Sequence, residues 1–370
     1  MENLISVAKE FNIEGKVLSA SKCGNGRINR TFKITTQTIN GPREYILQII
    51  NTDLFTEPEK LMANISGVTN HIKNKSKNKQ VLNIVKTKNG EPFISKDGLC
   101  FRVYDYIPGS ISIENPKENP TAFYECGKIF ADFQTYLSDF DANKLHETIP
   151  DFHNTQKRFE KFVKTVNENK FDRVKNAIPE IEFCVNMTSL YNLNDIILKQ
   201  IEAKTLPLRV THNDTKLNNV AFNKDGKALA VLDLDTVMPG ALCYDFGDAI
   251  RFGCNSENEE STDFDKITFD KHLFSLYTKG YLEKAKDFIT ERELASLVDG
   301  CLVMTYEVGM RFLTDYLEGD VYFGSNYPEN NLNRARNQFT HLKNMLNSRN
   351  EMNQIVYTTM QNLQTEEFEK

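Results

Sequence analysis

The sequence predicts an α+β chain of two lobes, a small β-sheet lobe followed by a larger, mainly helical one. Three observations carry this. Apolar strands separated by Asn-Gly and Asp-Gly turns fill the first hundred residues. Pro108-Gly109 closes that run of strands. Beyond it the apolar residues recur mostly at helical spacing, interrupted by one short hairpin. The lobe boundary falls at Tyr106, giving residues 1–106 and 107–370.

Residues 3–12 form a short amphipathic helix with Leu4, Val7, Ala8 and Phe11 on one face. Strands at 15–20 and 32–38 are joined by a loop that carries Gly24, Gly26 and Asn29. Glycines let a backbone approach phosphate oxygens and turn its N–H groups toward them, so this is a candidate phosphate-covering loop. A third strand, 44–50, follows Asn40-Gly41. Pro58 suits the first turn of a helix whose buried stripe is Leu61, Ile65, Val68 and Ile72. Strands at 80–86 and 99–106 complete a five-stranded sheet with one packed helix. The remainder reads as helices at 123–139, 152–166, 171–190 (broken by Pro179), 191–204, 273–285, 290–317, 334–349 and 350–368.

Bulk properties narrow the function classes. The net charge of -6 argues against general nucleic-acid binding. Seven cysteines with no C-x-x-C point to neither a disulfide framework nor a zinc site, and fit reduced thiols in a cytoplasmic protein. The first residues lack a basic, apolar leader, and no run reaches the roughly 18 apolar residues of a membrane helix. The sequence does not reveal the oligomeric state.

The densest chemistry lies in Thr211-His212-Asn213-Asp214-Thr215-Lys216-Leu217-Asn218-Asn219-Val220 and Val231-Leu232-Asp233-Leu234-Asp235. Asn223-Lys224-Asp225-Gly226 between them is a hairpin turn signal. Folding that hairpin brings Asp214, Asn219 and Asp233 to one end. One carboxylate then accepts the proton of an attacking hydroxyl, while the amide and the second carboxylate hold Mg²⁺ on phosphates. Asp214 is the base in this reading, and Asn219 and Asp233 are the metal ligands. Lys216 is placed to neutralise a transferring phosphoryl group, and His212 to hold the loop through its backbone. Asp235 shares a strand face with Asp233 and is read as orienting the loop or binding substrate. Asp245 and Asp248 are read as holding the loop and capping the next helix.

The spacing H-x-D-x-x-x-x-N followed by a strand Asp resembles a shortened protein-kinase catalytic loop. The segments 236–240 and 244–248 depart from a protein-kinase activation loop. With that motif they resemble the aminoglycoside phosphotransferase and choline kinase superfamily, over essentially the whole chain. The resemblance implies a protein-kinase-like two-lobed fold with ATP and Mg²⁺ as cofactors. It implies a hinge at which the Asp105 carbonyl and Ile107 amide pair with the adenine edge. It also implies a phosphate-pairing lysine on the third strand. The matching residue here is Gln48, which brings no charge. Arg27 and Arg30 are candidates for the missing cation, and Glu59 for a partner of Gln48.

Three stretches, 211–220, 233–251 and 309–323, together resemble the N-acetylhexosamine 1-kinase branch. That implies ATP-dependent phosphorylation of the anomeric hydroxyl of N-acetylglucosamine or N-acetylgalactosamine. The third stretch mixes Arg311, Asp315, Tyr316, Asp320 and Tyr322 with Phe312 and Phe323, groups suited to sugar hydroxyls and apolar ring faces. Arg311 and Tyr316, with Asp214 and Asp235, are expected to contact the sugar. Two alternatives remain: a kinase for another sugar, an amino alcohol or an aminoglycoside, and a nucleotide-binding module without turnover, prompted by Gln48.

Overall fold

A computed structural model describes residues 2–24, 28–76 and 81–368. The first lobe contains α1 (Glu2–Ala8), β1 (Lys16–Lys22), β2 (Arg30–Thr38), β3 (Gly41–Ile50), α2 (Pro58–Lys75), β4 (Ile84–Val85), β5 (Ile94–Lys96) and β6 (Leu99–Asp105). The strands form one antiparallel sheet of order β1-β2-β3-β6-β4, with β5 pairing to β6. Successive side chains point to opposite faces. Ile34, Tyr45, Leu47, Ile49, Phe101 and Val103 form an outer core with Val7, Ala8 and Phe11. Cys100 and Tyr104, on the other face of β6, join Leu61, Met62, Ile65, Val68 and Ile72 of α2. Arg102 occupies the place between them, fully buried on this inner face.

The second lobe contains α3 (Pro120–Tyr136), α4 (Thr155–Glu168), α5 (Ile178–Tyr191), α6 (Ile196–Glu202), β7 (Arg209–Thr211), β8 (Val220–Phe222), β9 (Ala228–Val231), β10 (Met238–Gly240), α7 (Leu242–Gly253), α8 (Lys271–Ala285), α9 (Glu291–Leu317) and α10 (Asn330–Phe368). Its core is continuous with the inner face of the sheet. Local signals set many helix ends. Asn119, Asn154 and Asp270 cap α3, α4 and α8, and Thr290 with Glu293 forms a capping box on α9. Helices α7 and α9 approach closely at paired glycines. A Cβ on Gly247 would lie 2.4 Å from the Gly300 carbonyl oxygen, and one on Gly300 would lie 2.2 Å from the Cys243 carbonyl oxygen. Larger residues would push the two helices apart.

The α+β two-lobed architecture matches the expectation; several details differ. Among the described residues the sheet has six strands, because the residues after Gly90 add β5. Pro179 does not break a helix. It lies in the first turn of α5, where its missing N–H removes no helical bond. Asn192, at φ 53°, then ends α5, and α6 begins only at Ile196. The last two predicted helices are one 39-residue helix. Among the described residues no helix is long and apolar enough to cross a membrane.

Candidate active site

The predicted hairpin forms, with Val220 opposite Val231. The Leu232 amide extends it by donating to the Asn219 carbonyl at 2.8 Å. Asn219 is thereby fixed beside the residue that precedes Asp233. The strand before the loop pairs elsewhere: Thr211 of β7 lies opposite Met238 of β10. The 212–219 loop is thus tied at both ends to the segment containing Asp233.

Helix α7 holds the same loop. The Asp245 carboxylate accepts from the His212 and Asn213 amides at 2.9 and 2.7 Å, and from Gln134 at 2.8 Å. Asp248 accepts from the Thr215 amide at 3.0 Å, and the Thr215 hydroxyl donates to the Asp245 carbonyl at 2.5 Å. His212 is fully buried, with Phe130 and Phe133 against its ring. Its Nε2 donates to the Leu232 carbonyl at 2.8 Å, and its Nδ1 accepts from the Asp214 amide at 3.3 Å. These partners assign the ring proton to Nε2. Asp245, Asp248 and His212 therefore hold the loop, as expected, but neither Asp caps a helix end: both lie within α7, whose N-cap is Ala241.

Asp214 is half-buried. Lys216 Nζ lies 2.9 Å from its Oδ1, and Asn219 Nδ2 donates to its Oδ2 at 2.9 Å and to its carbonyl at 2.8 Å. Burial raises this carboxyl, but Lys216, His212 and Asn219 outweigh it and leave the group below its ordinary range. The Asp214 charge in turn raises Lys216. Asp233 sits in the left-handed region at φ 53° and is exposed. The surrounding protein, followed by the Asp235 and Asp214 carboxylates, pushes it up to about 7. Such crowding suits a divalent cation. Among the described residues, no three His, Cys, Asp or Glu groups form a metal cage. An amide oxygen and one carboxylate, completed by phosphate oxygens, are the sparse set typical of Mg²⁺. Asn219 and Asp233 fit that set.

Residues 19–267 match the family model described as the phosphotransferase enzyme family. The chain belongs to that family. An aminoglycoside phosphotransferase from Alicyclobacillus acidocaldarius shares the fold, with a TM-score of 0.58 at 12% identity, covering 97% of this chain and 96% of that one. A choline kinase from Cryptosporidium parvum gives 0.56 at 13% identity, with coverage of 94% and 95%. A spectinomycin phosphotransferase, solved with ADP and spectinomycin, gives 0.54 at 15% identity, with coverage of 97% and 98%.

The phosphotransferase departs from the sequence reading around Gln48. Gln48 does not meet Glu59, which is exposed on α2. Its Nε2 donates to Thr31 at 3.1 Å, and its Oε1 accepts from Arg102 Nε at 2.9 Å. Arg30 is exposed, whereas Gly26 and Arg27 lie outside the described residues. The buried cation nearest Gln48 is therefore Arg102, which sequence reasoning missed. Its signal was an arginine inside the otherwise apolar strand Leu99–Tyr104. Burial would lower Arg102, but Asp235 outweighs it and holds the guanidinium charged.

Asp235 is not an exposed substrate group. It is buried, and its carboxylate is engaged by Arg102 and Asn29. Asn29 also accepts from the Asn51 amide at 2.9 Å. Gly24 adopts φ 74°, a conformation that favours glycine, with open space beyond it. At the hinge, the Asp105 amide donates to the Asn83 carbonyl at 3.0 Å. The Ile107 amide meets no backbone carbonyl among the described residues.

The 309–323 stretch divides by helix face. Tyr316 is buried at 2% exposure, with the Arg173 guanidinium 4.8 Å from its ring, so it does not line an open site. Asp315 accepts from the Tyr322 and Phe323 amides at 2.7 and 2.9 Å and shapes the turn after α9. Arg311 lies 5.4, 5.7 and 5.4 Å from the rings of Phe152, Tyr322 and Phe323, without an ion pair among the described residues. Glu307, one turn earlier, is taken by His153 and Thr155. Arg158 and Arg311 line one small pocket with Tyr322 and Phe323. On α7 the Tyr244 ring, next to Asp245 in the chain, lies 5.2 Å from the His153 ring.

Proposed function

We propose that this phosphotransferase uses ATP and Mg²⁺ to phosphorylate the anomeric hydroxyl of an N-acetylhexosamine. The observation that carries the reaction class is the convergence of Asp214, Asn219 and Asp233 at one end of the hairpin. Asp214 accepts the proton of the acceptor hydroxyl as that oxygen bonds phosphorus and the ADP oxygen leaves. Its low basicity suits an anomeric hydroxyl, which is more acidic than an ordinary alcohol. Lys216 balances charge beside it. Asn219 and Asp233 would hold the Mg²⁺, which when bound neutralises the phosphate oxygens. The loop with Gly24 and Asn29 would cover the phosphates, and the Asp105 carbonyl and Ile107 amide would meet the adenine edge.

The acceptor assignment rests on Arg311 and its three rings. Arg158 adds a second positive group to the same pocket. Glu318 is paired with Lys161, and Asp315 with backbone amides, so the two arginines dominate its charge. That balance disfavours a cationic amino alcohol or aminoglycoside.

A screen of acceptors by coupled ADP release, with the new phosphate located by NMR, tests the reading. Arg311→Ala should raise KM for the sugar and leave KM for ATP nearly unchanged. Damage to ATP binding alone would remove Arg311 from the acceptor site. Phosphorylation of choline or an aminoglycoside, but of no hexosamine, would replace the substrate and keep the reaction class.

A further inference from the structure

Asp235 joins the two lobes. It belongs to the turn that presents Asp233, yet its partners come from the sheet lobe. Asn29 donates to its Oδ2 at 2.5 Å, and Arg102 Nη2 donates to the same oxygen at 2.8 Å. Arg102 Nη1 lies 2.5 Å from its Oδ1. The two charged side chains are 1% and 5% exposed. Gln48 and Arg102 face each other directly in the β3–β6 register, and Gln48 Oε1 accepts from Arg102 Nε. Asn64 of α2 adds a neutral tie by donating to the Val237 carbonyl at 3.0 Å.

We propose that Arg102 is a positioning residue. It carries from β6 the positive charge that kinases place on β3. Through Asp235 it fixes the turn that presents Asp233. The charge is moved one strand over, and its partner is moved from α2 to the far lobe. Arg102 is the ion-pair partner of Asp235, whereas Asp233 has none among the described residues. Asn29 links the phosphate-covering loop to the same carboxylate. The pair therefore sets the affinity for a magnesium–nucleotide diphosphate or triphosphate. This inference rests on the nucleotide reading above.

The test compares Arg102→Met, Asp235→Leu and their double variant in the full chain. Urea unfolding and calorimetric binding of MgADP are measured without turnover. Each single variant leaves one buried charge unpaired and should be destabilised. The double variant removes both charges and should regain most of the lost stability. It should still bind MgADP about 10- to 100-fold more weakly than wild type, the usual cost of losing a group that orients a metal ligand. Gln48→Lys with Arg102→Gln returns a charge to β3, and should bind more tightly than Arg102→Gln alone. A stable double variant with wild-type affinity overturns the proposal, because the pair would then be structural only. A Gln48→Lys/Arg102→Gln variant no better than Arg102→Gln overturns the relocation of charge. Wild-type protein that binds no MgADP overturns the nucleotide reading and this role with it.

Discussion

Replacing Gly247 with Ala asks whether the contact between α7 and α9 sets the 212–219 loop. Helix propensity alone favours the change by about 1 kcal/mol. Packing opposes it. The new methyl would lie 2.4 Å from the Gly300 carbonyl oxygen and 2.5 Å from its carbon. Both are backbone atoms and cannot rotate away. To reach ordinary contact, α7 must retreat by about 1 Å. Overpacking costs about 1–3 kcal/mol, and a rigid obstacle places this case near the upper end. The net effect should be a loss of about 2 kcal/mol. The displaced helix carries Asp245 and Asp248, which hold the His212, Asn213 and Thr215 amides. Displacing such supports by about 1 Å can cost about 100-fold in rate. Urea denaturation followed by circular dichroism gives the stability, and ADP release gives kcat. Unchanged or higher stability with unchanged kcat would refute the argument, since propensity would then outweigh packing.

Asp214→Asn should lower kcat by about 100-fold or more with little change in nucleotide binding, whereas Asp233→Asn should also weaken MgADP binding; near-normal turnover in both removes the catalytic assignment. Asp245→Asn turns an amide donor toward the His212 or Asn213 N–H, and should cost about 1–3 kcal/mol together with a lower kcat; wild-type values for both would show that the loop holds itself. His341 is fully buried, without a hydrogen-bond partner for either ring nitrogen among the described residues, and burial, with Arg251 adding to it, pushes the group down to about 3. Its folded value lies below the unfolded one, near 6.5, so its share of stability is intact above that pH and is lost as pH falls toward 3. From pH 7 to 5 this residue should cost the wild type about 2 kcal/mol, and His341→Phe should lose correspondingly less on urea unfolding; parallel pH profiles would contradict this.

Much of the fold and of the site was legible because it depends on short separations. Strand alternation, the Asn223–Gly226 turn and the capping residues act over a few positions. The turn that pairs Val220 with Val231 necessarily brings Asn219 to Asp233, and Asp214 is only five residues from Asn219. What the sequence by itself determined was therefore the two-lobed α+β class and the hairpin with its polar end. Tertiary structure decided the partners of the isolated charges. Arg102 and Asp235 are separated by 133 positions, and no local pattern pairs them. Burial supplies the reason: a charge removed from water requires a partner, and only the packing of the two lobes determines which one it meets. The same holds for Tyr316 and Tyr322, six residues apart. The first points into the core of α9, while the second follows the helix end and stays exposed beside Arg311.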